Sequence, residues 1–151
     1  NNLDVVFDVP TILANNEFVP LKIKKKYNRK IWPTTIPTSG ISFKRAFFED
    51  CLEFNLFDSY PTLEIDFRLN FFAQRILGKF LILGKNLTIY RKVNDGVMSK
   101  IKFFSYNWWV KRLQAHYFIN NVYKKSKLPY KRNYDFYLTK STVWLLNKMI
   151  K

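Results

Sequence analysis

Pro61-Thr-Leu-Glu-Ile-Asp-Phe-Arg-Leu-Asn-Phe-Phe-Ala-Gln-Arg-Ile-Leu-Gly78 is the stretch on which the reading of the fold turns. Leu63, Phe67 and Phe71 form one row at helical spacing, and Ile65, Leu69, Phe72 and Ile76 form another, leaving little wet surface. Thr62 is placed to cap this helix, and Glu64 and Asp66 put negative charge in its first turns, where the backbone dipole favours it. Gly78 stops it. Downstream, Phe80-Leu-Ile-Leu83 and Leu87-Thr-Ile-Tyr90 read as short strands around Gly84-Lys-Asn86, followed by a Val93-Asn-Asp-Gly96 turn. Upstream, Ile41-Ser-Phe-Lys-Arg45 reads as a strand that runs into a helix from Ala46 to Phe54. Before it lies a loop, Ile31 to Gly40, in which Pro33 and Pro37 hold the preceding residues extended.

The ends extend this pattern. Leu3-Asp-Val-Val-Phe-Asp8 alternates as a strand, closed by Pro10. Residues 11–30 read as an irregular, solvated connection with one short strand, carrying the basic cluster from Lys22 to Lys30. Ser99 is placed to cap a long helix to about Tyr123, with Phe103, Trp108, Leu113, Tyr117 and Ile119 as core positions. A last helix covers roughly Asn133 to Met149. The order is mixed α/β rather than regular βαβ units. The expected architecture is a mixed sheet with flanking helices over residues 1–98, then a helical, basic C-terminal region over 99–151.

Composition narrows the classes. The apolar fraction is 48%, and four Gly and six Pro exclude a low-complexity or collagen-like chain. Cys51 is the only cysteine, so no internal disulfide framework is available. Neither a signal-peptide pattern nor an apolar run of the ~18–20 residues needed for a membrane span is present. The expected location is cytoplasmic, peripheral at the inner face of a membrane. The first residue is Asn rather than Met, which reads as a piece of a longer chain. The net charge of +15 is uneven: from Lys100 to Lys151 there are 12 basic side chains and one acid, Asp135. Such a field draws in polyanions (nucleic acid, anionic headgroups or phosphorylated sugar carriers) without choosing among them.

The candidates for chemistry are few. His116 stands alone in an aromatic stretch and reads as a partly buried or helix-surface imidazole rather than a zinc ligand. Cys51, between Phe48 and Leu52, reads as a buried structural thiol. No P-loop or GxGxxG is present. Carboxylates remain: Glu49, Asp50, Glu53, Asp58, Glu64 and Asp66 fall within 18 residues of a chain that has 11 acids. A carboxylate at a helix start stays ionised and suits a general base, but the same placement also simply favours the helix.

The order of segments adds a resemblance. Ser39-Gly-Ile-Ser-Phe-Lys-Arg45, Ile65-Asp-Phe-Arg-Leu69 and Leu87-Thr-Ile-Tyr-Arg91, with Asn94 and Ser99, resemble the motif series of the family 2 glycosyltransferases, which have the GT-A fold. The similarity covers about residues 31–100, with motifs that are weak singly and informative as a set. It implies that Asp66 is the base that takes the proton from the acceptor hydroxyl, with Glu64 beside it. Thr38, Ser39 and Gly40 would line the acceptor site, and Arg91 and Asn94 would face the donor diphosphate. The implied reaction is an inverting displacement between a nucleotide-sugar donor and a glycan or lipid-linked acceptor. The family's donor half, ending in an Asp-x-Asp-type metal motif, is not in these residues; Asp4 and Asp8 look like the strand just downstream of it. A divalent cation, Mg or Mn, is therefore implied for the full-length enzyme with ligands mostly outside this chain. No metal site is expected within it, and no transfer by it alone.

The basic C-terminal region interleaves Tyr106, Trp108, Trp109, Tyr117 and Tyr123 with Lys111, Arg112, Lys124, Lys125 and Lys127. A nucleic-acid module without catalysis would look similar, with bases stacked on aromatics and cations on phosphate. So would an interfacial helix at an anionic membrane surface, or a solvated basic face over an aromatic core. The resemblance favours the last of these, with weak attraction to an anionic membrane, and makes nucleic acid the lesser alternative.

Overall fold

Residues 2–14, 17–20, 32–54, 59–77, 79–91 and 101–150 are described by a computed structural model. They form a mixed α/β arrangement of two three-stranded mixed sheets and four helices among the described residues. The chain divides into two compact units, Asn1–Asn55 with Glu64–Asn94, and Leu56–Leu63 with Asp95–Lys151.

In the first unit, β1 (Val5–Phe7) is the strand the alternation predicts, with Val5 and Phe7 buried and Val6 less so. It is the centre of one sheet, antiparallel to β4 (Ile41–Phe43) and parallel to β5 (Phe80–Ile82). The chain then turns at Asp8-Val-Pro10 into β2 (Thr11–Ala14), the centre of the second sheet. There β2 pairs antiparallel with β3 (Glu17–Pro20) and parallel with β6 (Ile89–Arg91). The expectation of one short strand in residues 11–30 is corrected to two, β2 and β3. All four residues of β3 are exposed, so its side chains carry no burial alternation, and its order comes from backbone pairing with β2. The basic cluster at Lys22 to Lys30 lies outside the described residues.

Helix α1 (Arg45–Glu53) buries Phe47 and Cys51 at i and i+4. Helix α2 begins at Ile65, not at Thr62, and runs to Phe71. Its cap position, Glu64, is extended (φ −67°, ψ 153°) and makes no side-chain cap bond. Thr62 instead serves the other unit, where its backbone N–H and its hydroxyl both donate to Gln114 Oε1, at 3.2 and 2.7 Å. The α-helix continues as a π-helical segment, Phe72–Leu77. Leu69, Phe71, Phe72 and Ala73 join Val5, Phe7, Ile36 and Phe47 in the core of this unit. Each fully buried Leu or Phe contributes roughly 1.5–3 kcal/mol of transfer free energy.

The second unit is an antiparallel helical hairpin. Helix α3 spans Tyr106–Lys125 and α4 spans Tyr134–Ile150. Ser105, whose side chain accepts from the Trp108 N–H at 3.3 Å, caps α3. Ser99, the expected cap, lies outside the described residues. The antiparallel register is marked at one end by Tyr106 O–H donating to Asn147 Oδ1 at 2.7 Å, and further along by His116 and Tyr117 against Phe136. The core uses Ala115, Phe118, Ile119 and Val122, with Phe136 and Val143 opposite and Tyr60 and Leu63 from the preceding segment. Of the expected core positions on α3, Ile119 is buried and Trp108 and Leu113 are half-buried. Tyr117 and Phe103 are exposed, and Phe103 precedes the cap and so lies off the helix altogether. Among the described residues, no helix is long and apolar enough to cross a membrane.

Candidate functional site

Asp66, Asn70 and Gln74 form a polar row at i, i+4 and i+8 on a helix whose other polar residues are Arg68 and Arg75. The loop Trp32–Ile36 lies along this row and is bound to it at alternate residues. Ile36 N–H donates to Asn70 Oδ1 at 3.2 Å, and Asn70 Nδ2 donates back to Ile36 O at 2.8 Å. Thr34 N–H donates to Gln74 Oε1 and Gln74 Nε2 returns to Thr34 O, both at 2.8 Å. Arg75 Nη2 donates to Trp32 O at 3.2 Å. Two side-chain amides thus copy the pairing of a neighbouring β-strand. The spacings agree: four helical residues rise about 6 Å, and two extended residues advance about 6.6 Å. Pro33 and Pro37 suit the loop to this role, since each restricts its predecessor to extended backbone. Gln74 and Arg75 sit in the π-helical segment, a feature common at functional sites.

The clamp brings Asp66 and the Thr38–Gly40 turn to one end of this row. Asn70 Nδ2, besides Ile36 O, donates to the backbone oxygen of Asp66 at 2.7 Å, so one buried amide holds the Asp66 and Ile36 carbonyls side by side. The Asp66 carboxylate is half-buried and its Oδ1 accepts the Phe67 N–H at 2.7 Å. Glu64, also half-buried, is at the cap position two residues earlier. Two residues past Ile36 the chain makes a 3-10 turn, Thr38–Gly40, closed by Gly40 N–H donating to Pro37 O at 2.8 Å. Thr38 and Ser39 are exposed and Gly40 is buried. A Cβ on Gly40 would stand 2.3 Å from Asp8 O and 3.1 Å from Ile36 Cγ2, so the position has no room for a side chain.

Asp8 locks the other side of the turn. Its N–H donates to Gly40 O at 2.8 Å, while its carboxylate accepts from the Leu87 N–H at 2.9 Å and the Thr88 hydroxyl at 2.6 Å. This buried carboxylate joins the β1–β2 bend to the β5–β6 connection and has both oxygens engaged. Among the described residues, no group of three or more His, Cys, Asp or Glu is arranged to hold a metal ion. Arg91 lies at the exposed end of β6, paired with Leu13 in the second sheet. Asn94 lies outside the described residues.

Asn70, which holds the Asp66 backbone oxygen, and Gln74 were not among the sequence candidates. A signal for them existed: two amides at i and i+4 inside a mostly apolar helix need buried partners. Cys51 is buried, and burial, then the neighbouring Asp50, pushes its thiol up to about 12, so it is inert as a nucleophile. His116 is fully buried rather than partly so, with Nε2 3.3 Å from Asp135 Oδ2. Arg112 Nη2 is 2.6 Å from both oxygens of the same carboxylate. Burial lowers the His116 pKa, and Asp135 opposes that shift.

No protein-family model matches the chain, and no curated protein or solved structure matches it.

Proposed function

We propose that this chain is the acceptor-side half of an inverting, GT-A-fold glycosyltransferase of family 2, with Asp66 as its general base. The observation that carries the reading is the clamp: Asn70 fixes the Asp66 carbonyl to the loop leading into the Thr38–Gly40 turn. The motif series around it supports the same assignment.

In this reading the acceptor hydroxyl binds between the turn and the start of α2. Its oxygen attacks the anomeric carbon while Asp66 removes its proton. The bond from that carbon to the donor phosphate oxygen breaks, and the electron pair leaves with the nucleoside diphosphate, inverting the centre. Glu64, Thr38, Ser39 and the Gly40 backbone orient the acceptor, and the roles that the resemblance implies for Arg91 and Asn94 are contacts to the donor diphosphate. The value of the clamp is preorganisation: it fixes the Asp66 backbone, and the Phe67 N–H holds one oxygen of the carboxylate, so the base starts from a set position. In this reading the donor site is supplied from outside these residues.

The test is Asp66→Asn in the polypeptide that also carries the donor half, assayed for transfer from a panel of nucleotide sugars. An amide oxygen can still accept the Phe67 N–H, so melting temperature and donor binding are expected to hold. Turnover is expected to fall by about 10²–10⁴-fold. Turnover at the parent rate sinks the assignment of Asp66, and failure of the parent protein to transfer any sugar sinks the class.

A further inference from the structure

We propose that the α3 start and α4 end of the helical hairpin form a docking surface for an anionic lipid bilayer. This rests on unit 2 alone and does not depend on the transfer chemistry. The Tyr106–Asn147 hydrogen bond places these two helix ends together. There the chain exposes Phe103 (69%), Phe104 (61%), Trp144 (56%), Met149 (80%) and Ile150 (68%). Single exposed apolar residues are ordinary; here five large ones fall within three residues of the Tyr106–Asn147 bond. Phe104 also adopts φ 61°, a left-handed backbone that bulky residues rarely enter. Strain of that sort at an exposed aromatic points to a surface with a use.

Charge selects the occupant. At this end, residues 101–111 and 140–150 carry Lys102, Lys111, Lys140 and Lys148 and no Asp or Glu. A second copy of this face would bring like charges together, whereas an anionic bilayer complements them. Lys148 Nζ lies 3.9 Å from the centre of the Trp144 ring, so an ammonium and an indole share one level, as at a headgroup boundary. The apolar members favour lipid over nucleic acid. Met149 and Ile150 have no flat face for a base. Phe103, Phe104, Trp108 and Trp109 pack on one another, with Trp108 edge-to-face against both phenylalanines and Trp109, rather than splaying as stacking platforms.

The experiment is co-sedimentation of the full chain with vesicles of phosphatidylcholine alone or with about one third phosphatidylglycerol. Binding is expected only to the anionic vesicles, and is expected to be lost in about 1 M salt, where the Debye length is about 3 Å. The double substitution Met149→Ser/Ile150→Ser is expected to weaken it about tenfold or more, with an unchanged melting curve. Phe103→Ser/Phe104→Ser serves as a second, independent surface variant with the same expectation. Equal binding to neutral vesicles, or full binding by both variants, overturns the proposal. So does tighter binding to a single-stranded oligonucleotide that neither variant weakens, or salt-resistant self-association of the chain that both variants abolish.

Discussion

Asn70→Asp changes one atom of the clamp, and its effect on stability is expected to depend on pH. In the parent protein the Asn70 amide nitrogen donates to Ile36 O and Asp66 O at 2.8 and 2.7 Å, while its oxygen accepts the Ile36 N–H. A carboxyl in its place keeps the acceptor but points an oxygen at two carbonyl oxygens inside a fully buried site. Only the protonated form can donate there, and burial adds to the preference for it. The folded-state pKa of the introduced group therefore rises above its unfolded value of about 3.9. The sign follows: the folded state binds more protons, so the favourable contribution is present below about pH 4 and is lost as pH rises. A rise of about 2–3 pH units corresponds to about 3–4 kcal/mol at pH 7.

Asn70→Ala supplies the control. It leaves the N–H and C=O of Ile36 without their partner at about 1–3 kcal/mol each, partly relieved by relaxation, so about 2–4 kcal/mol with little pH dependence. In a chain of this length 1 kcal/mol shifts the melting temperature by about 2–4 °C. Thermal melts of all three proteins at pH 4 and pH 7, with hydrogen exchange read at the Ile36 amide, measure both effects. The aspartate variant is expected to lie modestly below the parent at pH 4, since a carboxyl has one proton for two carbonyls, and well below it at pH 7. The alanine variant is expected to lie below the parent by a similar margin at both, with faster Ile36 exchange. An aspartate deficit that does not grow with pH, or an Ile36 amide indifferent to Asn70→Ala, would refute the clamp.

Two further outcomes follow from the same geometry. Gly40→Ala places a carbon 2.3 Å from Asp8 O, so the backbone must shift. A loss of about 1–3 kcal/mol in urea unfolding is expected, and a loss under 0.5 kcal/mol would show that the turn yields freely. His116, whose pKa is lowered by burial, contributes stability above its unfolded value of about 6.5 that is lost as pH falls below it. Melting temperatures taken from pH 7 down to pH 5 are expected to drop, and the drop is expected to be shallower in His116→Gln; an identical slope would remove His116 as its source.

How much of this was legible in the sequence depended on whether burial or pairing ordered each element. The helix bearing Leu69, Phe71 and Phe72 was legible as a helix, but it is buried all round from Arg68 to Ala73, with Arg68 and Asn70 inside and Ile65 exposed. The strand Val5–Phe7 announced itself because its alternation matches the face it buries. The strand Glu17–Pro20 did not, because its order comes from backbone bonds to a partner while its side chains stay wet. The start of α2 was misread at Thr62 for a related reason. A threonine before two acids satisfies every local rule for a cap, yet both its N–H and its hydroxyl are used by Gln114, 52 residues away.

The candidate site has the same dual character. Asp66 is visible as a first-turn carboxylate, and position alone gives it no role beyond favouring the helix. In three dimensions Asn70, one turn on, bonds both the Asp66 backbone oxygen and a loop 34 residues earlier in the chain. Local pattern reveals that a buried amide in a mostly apolar helix needs partners, but not which backbone supplies them. The loop's prolines reveal that it is extended, but not what it lies against. Each half of the clamp is thus present in the sequence as an unmet requirement. Only the match between four helical residues and two extended ones, near 6 Å in both, joins the two requirements into a site.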